Sequence, residues 1–253
     1  MSFIRGYYRL SLSGLTLIVF TVLIVLTSYL PVTIKKAPLS MRMTQLLTIA
    51  LLWTMNVRVI CSEKEKLRNF DGYFFPNHLS YLEVLTIFSI MPTRFLAKAE
   101  IRGWFAIGAI AAAVGCVFVQ RGNKKDRKQA RHALAQVATT PPITIFPEGT
   151  RGPGDQLRPF RHGAFEIVIE NGSTYLPIAF IFSDLELGIW RHKENLIQAL
   201  WRLNSQPKKV TVTVLPLEPQ STSPDDDPVT HAEKTRETLT AVLFPNTPPP
   251  TTG

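Results

Sequence analysis

The sequence predicts an α/β fold: a mixed, largely parallel central sheet of about seven strands flanked by helices, preceded by an N-terminal membrane-embedded helix or helical hairpin. Three observations predict it. No charged residue lies between Arg9 and Lys35, and Leu15 to Leu30 is dominated by Leu, Ile, Val and Phe. Beyond residue 60, short apolar runs alternate with amphipathic stretches, the pattern of strands and helices laid in layers. Val210, Val212 and Val214 alternate with threonines, the two-residue period of a strand with one buried face.

Taken in order, the first stretch is long enough to cross the hydrocarbon layer, which needs about twenty apolar residues. It is long for the core of a signal peptide, and no small-x-small cleavage site follows before Pro31 and the Lys35-Lys36 pair. Arg5 and Arg9 precede it, while Lys35, Lys36 and Arg42 follow, so both flanks are basic. A second apolar stretch, Leu46 to Met55, is too short to span. A helical hairpin embedded in the cytoplasmic leaflet satisfies both flanks; a single crossing satisfies the length of the first run. Strands are predicted at Val57–Cys61, Gly72–Phe75, Arg94–Ala97, Val117–Val119, Ile143–Phe146, Tyr175–Phe182 and Lys209–Leu215. Helices are predicted at Tyr81–Ile90, Trp104–Val114, Lys125–Val137, His162–Glu170 and Glu194–Leu203. Asp227-Pro228 opens a last helix to about Leu243, with proline at the first helical position. Pro245 to Gly253 reads as a disordered tail. The expected division is residues 1–60 as membrane anchor, 61–218 as the α/β domain and 219–253 as C-terminal helix and tail.

Lys and Arg number 28 against 19 acidic residues, a net charge of +9. Nucleic acid is not the expected partner, because no recognition module is present and the cations are not interleaved with a stacking platform. The excess suits an anionic membrane surface or an anionic substrate. The basic face of the Lys125–Val137 helix is either simply solvated or a contact for lipid head groups or an anionic acyl carrier. Cys61 and Cys116 form no disulfide framework and lack the companions of a zinc site. No metal or other cofactor is expected, and a reducing cytoplasmic setting fits.

Two blocks carry chemistry. Residues 77–83 read NHLSYLE, placing His78 five positions before Glu83. An imidazole steadied by a carboxylate takes a proton from an alcohol near neutral pH. Residues five apart share no helical face, so the two meet only if His78 lies in a loop and Glu83 in the first turns of the helix. Ser80 is no serine-hydrolase nucleophile, since the chain has no G-x-S-x-G elbow. Residues 146–151 read FPEGTR: a carboxylate, an unhindered backbone, a hydroxyl and a fork-shaped cation, a set able to hold a polyol phosphate.

With FPEGTR the chain resembles the 1-acyl-glycerol-3-phosphate acyltransferase family of glycerolipid and lysophospholipid acyltransferases. The resemblance runs from about Phe75 to Phe180, with the blocks in the family's order: NHLSYLE, then FLAKAE at 95–100, GCVFVQR at 115–121, FPEGTR, and YLPIA at 175–179. It implies a membrane-bound enzyme that moves an acyl group from acyl-CoA or acyl-carrier protein to a lysophospholipid acceptor, lysophosphatidic acid first. Lyso-ornithine lipid or another lysophospholipid is the alternative acceptor, and a catalytically weak lipid-binding relative the alternative class. The implied setting is the cell (inner) membrane, with the α/β domain facing the cytoplasm. His78 and Glu83 are the implied catalytic pair, and Arg121 and Arg151 the implied phosphate ligands. Glu148 resembles the family's acceptor-binding acid, Gly149 permits close backbone approach, and Thr150 and Lys98 offer a donor and a charge. Two positions depart from the pattern: the family usually has Asp where Glu83 stands, and often an acid where Gln120 stands.

Overall fold

The computed structural model describes residues 2–120 and 139–245. Helix α1 (Ser2–Ser28) is followed by a two-stranded hairpin, β1 (Thr33–Ile34) and β2 (Ala37–Pro38). Its turn residues Lys35 and Lys36 both take positive φ, the twist a tight hairpin demands. Helix α2 (Leu39–Thr54) then returns antiparallel along α1, and the hydroxyls of Ser13 and Thr54 bond at 2.8 Å inside the contact. The two N-terminal helices pack against each other, the second extending upstream of the Leu46–Met55 apolar stretch. Among the described residues, α1 is the one helix long and apolar enough to cross a membrane, and Ile4, Leu15, Ile18, Val22 and Leu26 stand exposed along it.

The rest of the chain is a layered α/β domain. Its elements are β3 (Val57–Ile60), α3 (Lys64–Arg68), β4 (Tyr73–Pro76), α4 (Leu82–Ile90), β5 (Arg94–Lys98), a 3₁₀ turn (Ala99–Gly103), α5 (Ile107–Ala113), β6 (Val117–Val119) and β7 (Ile143–Thr144). There follow α6 (His162–Glu170), β8 (Thr174–Phe182), α7 (Leu185–Gly188), α8 (Leu196–Ser205), β9 (Val210–Pro216), β10 (Gln220–Ser221) and α9 (Pro228–Leu243). The eight-stranded sheet has the order β3-β9-β8-β4-β7-β5-β6, with β10 pairing β8 antiparallel. Every neighbour on the main path is parallel except β8 with β9. All seven predicted strands are present; β10 and the β1–β2 hairpin, two residues per strand, are additions too short to leave a periodic signal.

Alternation along β4 explains why the sheet is covered on both sides. Phe74 points into a core shared with Leu82 and Ile87 of α4, Leu47 and Leu51 of α2, and Ile24 of α1. Tyr73 and Phe75 point the other way, into a core with Phe165 and Val168 of α6 and Leu239 of α9. Val210, Val212 and Val214 are fully buried on the first side, as their spacing requires.

Boundaries differ from expectation where local chemistry intervenes. The strand expected to reach Phe146 stops at Thr144, because Phe146 accepts a turn bond from Gly149 N–H at 3.0 Å. The helix expected from Trp104 starts at Ile107, after the 3₁₀ turn. Asn195 caps α8 in a reciprocal box with Gln198, so that helix starts at Leu196, not Glu194. Asp227 caps α9 with Pro228 in its first turn, as read from the sequence. The predicted helix Lys125–Val137 lies outside the described residues, as does the tail beyond Pro245.

Candidate active site

Strands β4 and β7 are parallel neighbours, so the loops leaving them emerge side by side at the carboxyl edge of the sheet. One carries residues 77–81, the other 145–151. Asn77 fastens the first loop to β8: its side chain accepts from Phe180 N–H at 2.7 Å and donates to Phe180 C=O at 3.2 Å, fully buried. His78 sits in that loop, ahead of α4, and Glu83 is the second residue of α4.

The side chain of Glu83 turns back over the loop. Its Oε2 lies 3.0 Å from His78 Nδ1. Its oxygens also accept from Leu79 N–H at 2.9 Å and from Ser80 N–H at 2.8 and 3.0 Å. A fully buried carboxylate is tolerable because each oxygen has partners and the α4 N-terminus lies beside it. The extra methylene relative to aspartate is taken up by this reach-back, and the imidazole contact keeps ordinary length. An ionised carboxylate only accepts, so the bond places hydrogen on Nδ1 and leaves the Nε2 lone pair as the basic end of the ring. Phe146 stacks on the imidazole at 4.0 Å between centroids, which fixes the ring plane. Ser80 is buried, and its hydroxyl accepts from Leu82 N–H.

The second loop holds His78 by its backbone. Glu148 Oε1 accepts from His78 N–H at 2.8 Å, and Gly152 N–H donates to His78 C=O at 2.7 Å. The other Glu148 oxygen accepts from Arg158 N–H at 3.0 Å. Glu148, expected from the resemblance to be the acceptor-binding acid, is 2% exposed, and each of its oxygens accepts from a backbone donor. Burial raises its carboxyl above the usual range, an effect opposed by those two bonds and by His78. The arrangement is a staple between the two loops. Gly149 takes φ +70°, and a Cβ there would run into the Arg161 side chain; both favour glycine. Thr150 is exposed at the turn.

Arg151 is half-buried, and burial lowers its guanidinium from the usual value while the nearby Glu194 and Glu83 charges oppose the shift. Its Nη1 donates to Trp190 C=O at 3.2 Å, and Cζ lies 3.9 Å from the Trp190 ring centroid. Lys98 closes β5 at the same carboxyl edge and is exposed. Arg121 lies outside the described residues. The structure thus brings His78, Glu83, Glu148, Gly149 and Arg151 together, with Thr150 and Lys98 on the open side. Sequence reasoning missed Trp190, 39 positions from Arg151 with no motif around it. It also left unassigned the stacking role of Phe146 and the bond from Arg158 Nε to Arg151 C=O at 2.9 Å.

An imidazole–carboxylate pair and a half-buried cation thus stand together above the carboxyl edge of a largely parallel α/β sheet. The family model described as Acyltransferase matches residues 58–181, which contain every one of these groups except Trp190. The chain belongs to this acyltransferase family. It is 27% identical over 173 residues to the 1-acyl-sn-glycerol-3-phosphate acyltransferase of Neisseria gonorrhoeae, a match covering 66% of this chain and 67% of the relative. It is 31% identical over 106 residues to the lyso-ornithine lipid O-acyltransferase of Pseudomonas aeruginosa, covering 42% of this chain and 41% of that one. Its fold is similar to the crystal structure of the 1-acyl-sn-glycerophosphate (LPA) acyltransferase PlsC from Thermotoga maritima. The TM-score is 0.69 at 17% identity, over 98% of this chain and 100% of the other.

Proposed function

We propose that this acyltransferase moves a fatty acyl group from acyl-CoA or acyl-carrier protein to the free hydroxyl of 1-acyl-glycerol-3-phosphate, giving phosphatidic acid for phospholipid synthesis. In this reading the acceptor hydroxyl lies against His78 Nε2, which takes its proton as the oxygen attacks the thioester carbonyl. Glu83 stabilises the imidazolium that forms and holds the ring in the productive tautomer. The tetrahedral oxyanion collapses, the carbon–sulfur bond breaks, and the imidazolium returns its proton to the departing thiolate. No acyl-enzyme is needed, because the acceptor is itself the nucleophile. Arg151 meets the acceptor phosphate, with Arg121, Lys98 and Thr150 as further ligands. Gly149 lets the phosphate approach the backbone. Glu148 acts by keeping the His78 loop against the FPEGTR loop. The apolar row on α1 lies in the membrane, where a two-tailed product leaves into lipid, and the α/β domain faces the cytoplasm.

The observation that carries this reading is the 3.0 Å His78–Glu83 bond, stapled through Glu148 to the loop that presents Arg151. A second acceptor, lyso-ornithine lipid, is favoured by the Pseudomonas aeruginosa relative named for that lipid. The test is an acceptor panel with purified protein, offering lysophosphatidate, lyso-ornithine lipid and lysophosphatidylethanolamine with acyl-CoA and with acyl-carrier protein. Phosphatidate as the fastest-formed product is expected. Faster acylation of lyso-ornithine lipid would transfer the assignment to the second acceptor, and no product from any pairing would end both.

A further inference from the structure

We infer that Trp190 is a positioning residue that aims Arg151 at the acceptor phosphate and sets its offset from His78; this rests on the reading of Arg151 as the phosphate ligand. An arginine side chain has several rotatable bonds, and a half-buried one without a fixed partner would spread its charge over several directions. Trp190 removes that freedom from two sides. The guanidinium carbon lies over its indole ring, 3.9 Å from the centroid, and its backbone C=O accepts from Nη1 at 3.2 Å. One face and one edge of the fork are thereby held, and the remaining N–H donors keep one orientation.

The same residue reaches the first loop. Trp190 N–H donates to Leu79 C=O at 3.1 Å, one residue beyond His78. A single residue therefore links the loop that carries the base to the cation of the second loop, and the hydroxyl and phosphate ends of a short polyol phosphate must match that separation. Trp190 is itself well anchored. Its Nε1 donates to Glu194 C=O at 2.8 Å, and its ring meets Tyr81 edge-on. Arg202 of α8 grips the Glu194 carboxylate with two bonds of 2.8 Å, and donates to Ile189 C=O at 2.6 Å and to Glu186 C=O. These bonds hold Trp190 in place under Arg151.

The test compares Trp190→Phe, which keeps a π face, with Trp190→Leu, which keeps apolar bulk without one. Both are assayed beside Arg151→Ala and the Arg151→Ala/Trp190→Leu double variant, with lysophosphatidate as acceptor. Trp190→Leu should raise KM roughly tenfold with kcat changed less than threefold, Trp190→Phe should stay within about threefold of the parent, and Trp190→Leu should add nothing in the Arg151→Ala background. Unchanged KM in Arg151→Ala would sink the phosphate reading itself. A raised KM there together with an unaffected Trp190→Leu, equal losses in the Phe and Leu variants, or a full additional loss in the double variant would overturn the role of Trp190 alone. Should circular dichroism find the leucine variant unfolded, Trp190→Met carries the same comparison.

Discussion

Replacing Glu83 by glutamine turns one carboxylate oxygen into an NH2 group, and the structure says which bond suffers. Glu83 Oε1 receives Leu79 and Ser80 N–H, while Oε2 receives Ser80 N–H and faces His78 Nδ1. Whichever way the amide is turned, one acceptor becomes an NH2 group pointing at donors. The backbone N–H groups cannot rotate away, so the amide oxygen goes to the position they share most, and the NH2 group meets the imidazole. The ring answers by carrying its proton on Nε2 and accepting at Nδ1. That tautomer has no lone pair where the acceptor hydroxyl needs one.

A comparable loss of the orienting carboxylate in a serine protease costs about 10⁴ in kcat. Since the proposed reaction forms no covalent intermediate, we expect a loss on the order of 10³ to 10⁴, equivalent to about 4 to 5.5 kcal/mol of barrier. Folding should weaken by about 1 to 3 kcal/mol, from one buried donor left without an acceptor. Glu83→Asp keeps the charge but retracts it by one methylene, and displacement near an ångström costs about a hundredfold; its turnover should fall between the parent and glutamine. The assay is initial-rate formation of diacyl product from labelled acyl-CoA and lysophosphatidate in detergent, with thermal melts to confirm folding. Parent-like turnover in Glu83→Gln would remove Glu83 from the mechanism and with it the tautomer argument.

Three further outcomes follow from named contacts. Gly149→Ala puts a Cβ at φ +70° and into the Arg161 side chain, so it should destabilise by about 1 to 2 kcal/mol in urea unfolding and reduce turnover. Arg202 holds the Glu194 carboxyl below its usual range, chiefly through their hydrogen bond; a depressed carboxylate contributes stability above its unfolded-state pKa and loses it as pH falls through the folded-state value. The Tm gap between parent and Arg202→Met should therefore be widest near neutrality and close as pH drops below the ordinary glutamate range; a gap independent of pH would refute the pairing. Gly6→Leu should loosen α1 from α8, because a Cβ at Gly6 would already lie 2.9 Å from the Trp201 ring, and limited proteolysis should then cut near residue 30 faster than in the parent.

Much of this was legible in the sequence, and the reasons differ by element. Val210–Val214 read as a strand because one face is buried and the other is not, so the two-residue period survives. Asp227-Pro228 announced α9 because capping is written in adjacent residues. The condition that His78 stay in a loop while Glu83 enters the first helical turn came from helix geometry alone, and the structure meets it. What escaped was non-local. Nothing near Trp190 distinguishes its indole from any core aromatic; only the return of the chain between α7 and α8 brings it under Arg151. The direction of the Glu148 carboxylate was equally hidden, since a motif fixes which groups are present and not which way they turn.

FPEGTR is a unit because one turn sets the direction of each of its groups. Pro147 C=O accepts from Arg161 N–H at 2.8 Å, and Glu148 takes the N–H groups of His78 and Arg158, so the carboxylate faces the protein. Gly149 supplies the left-handed step that reverses the chain between Glu148 and Arg151. With the turn made, Thr150 is exposed and the Arg151 guanidinium lies over Trp190. Removing the acid would leave His78 N–H without its acceptor, and removing the glycine would strain the turn that aims the arginine. Glu148→Gln should therefore disturb kcat through His78 more than KM through the phosphate, because one oxygen still accepts while the amide NH2 opposes either His78 N–H or Arg158 N–H. A kinetic effect confined to acceptor KM would mean that the carboxylate touches the substrate after all.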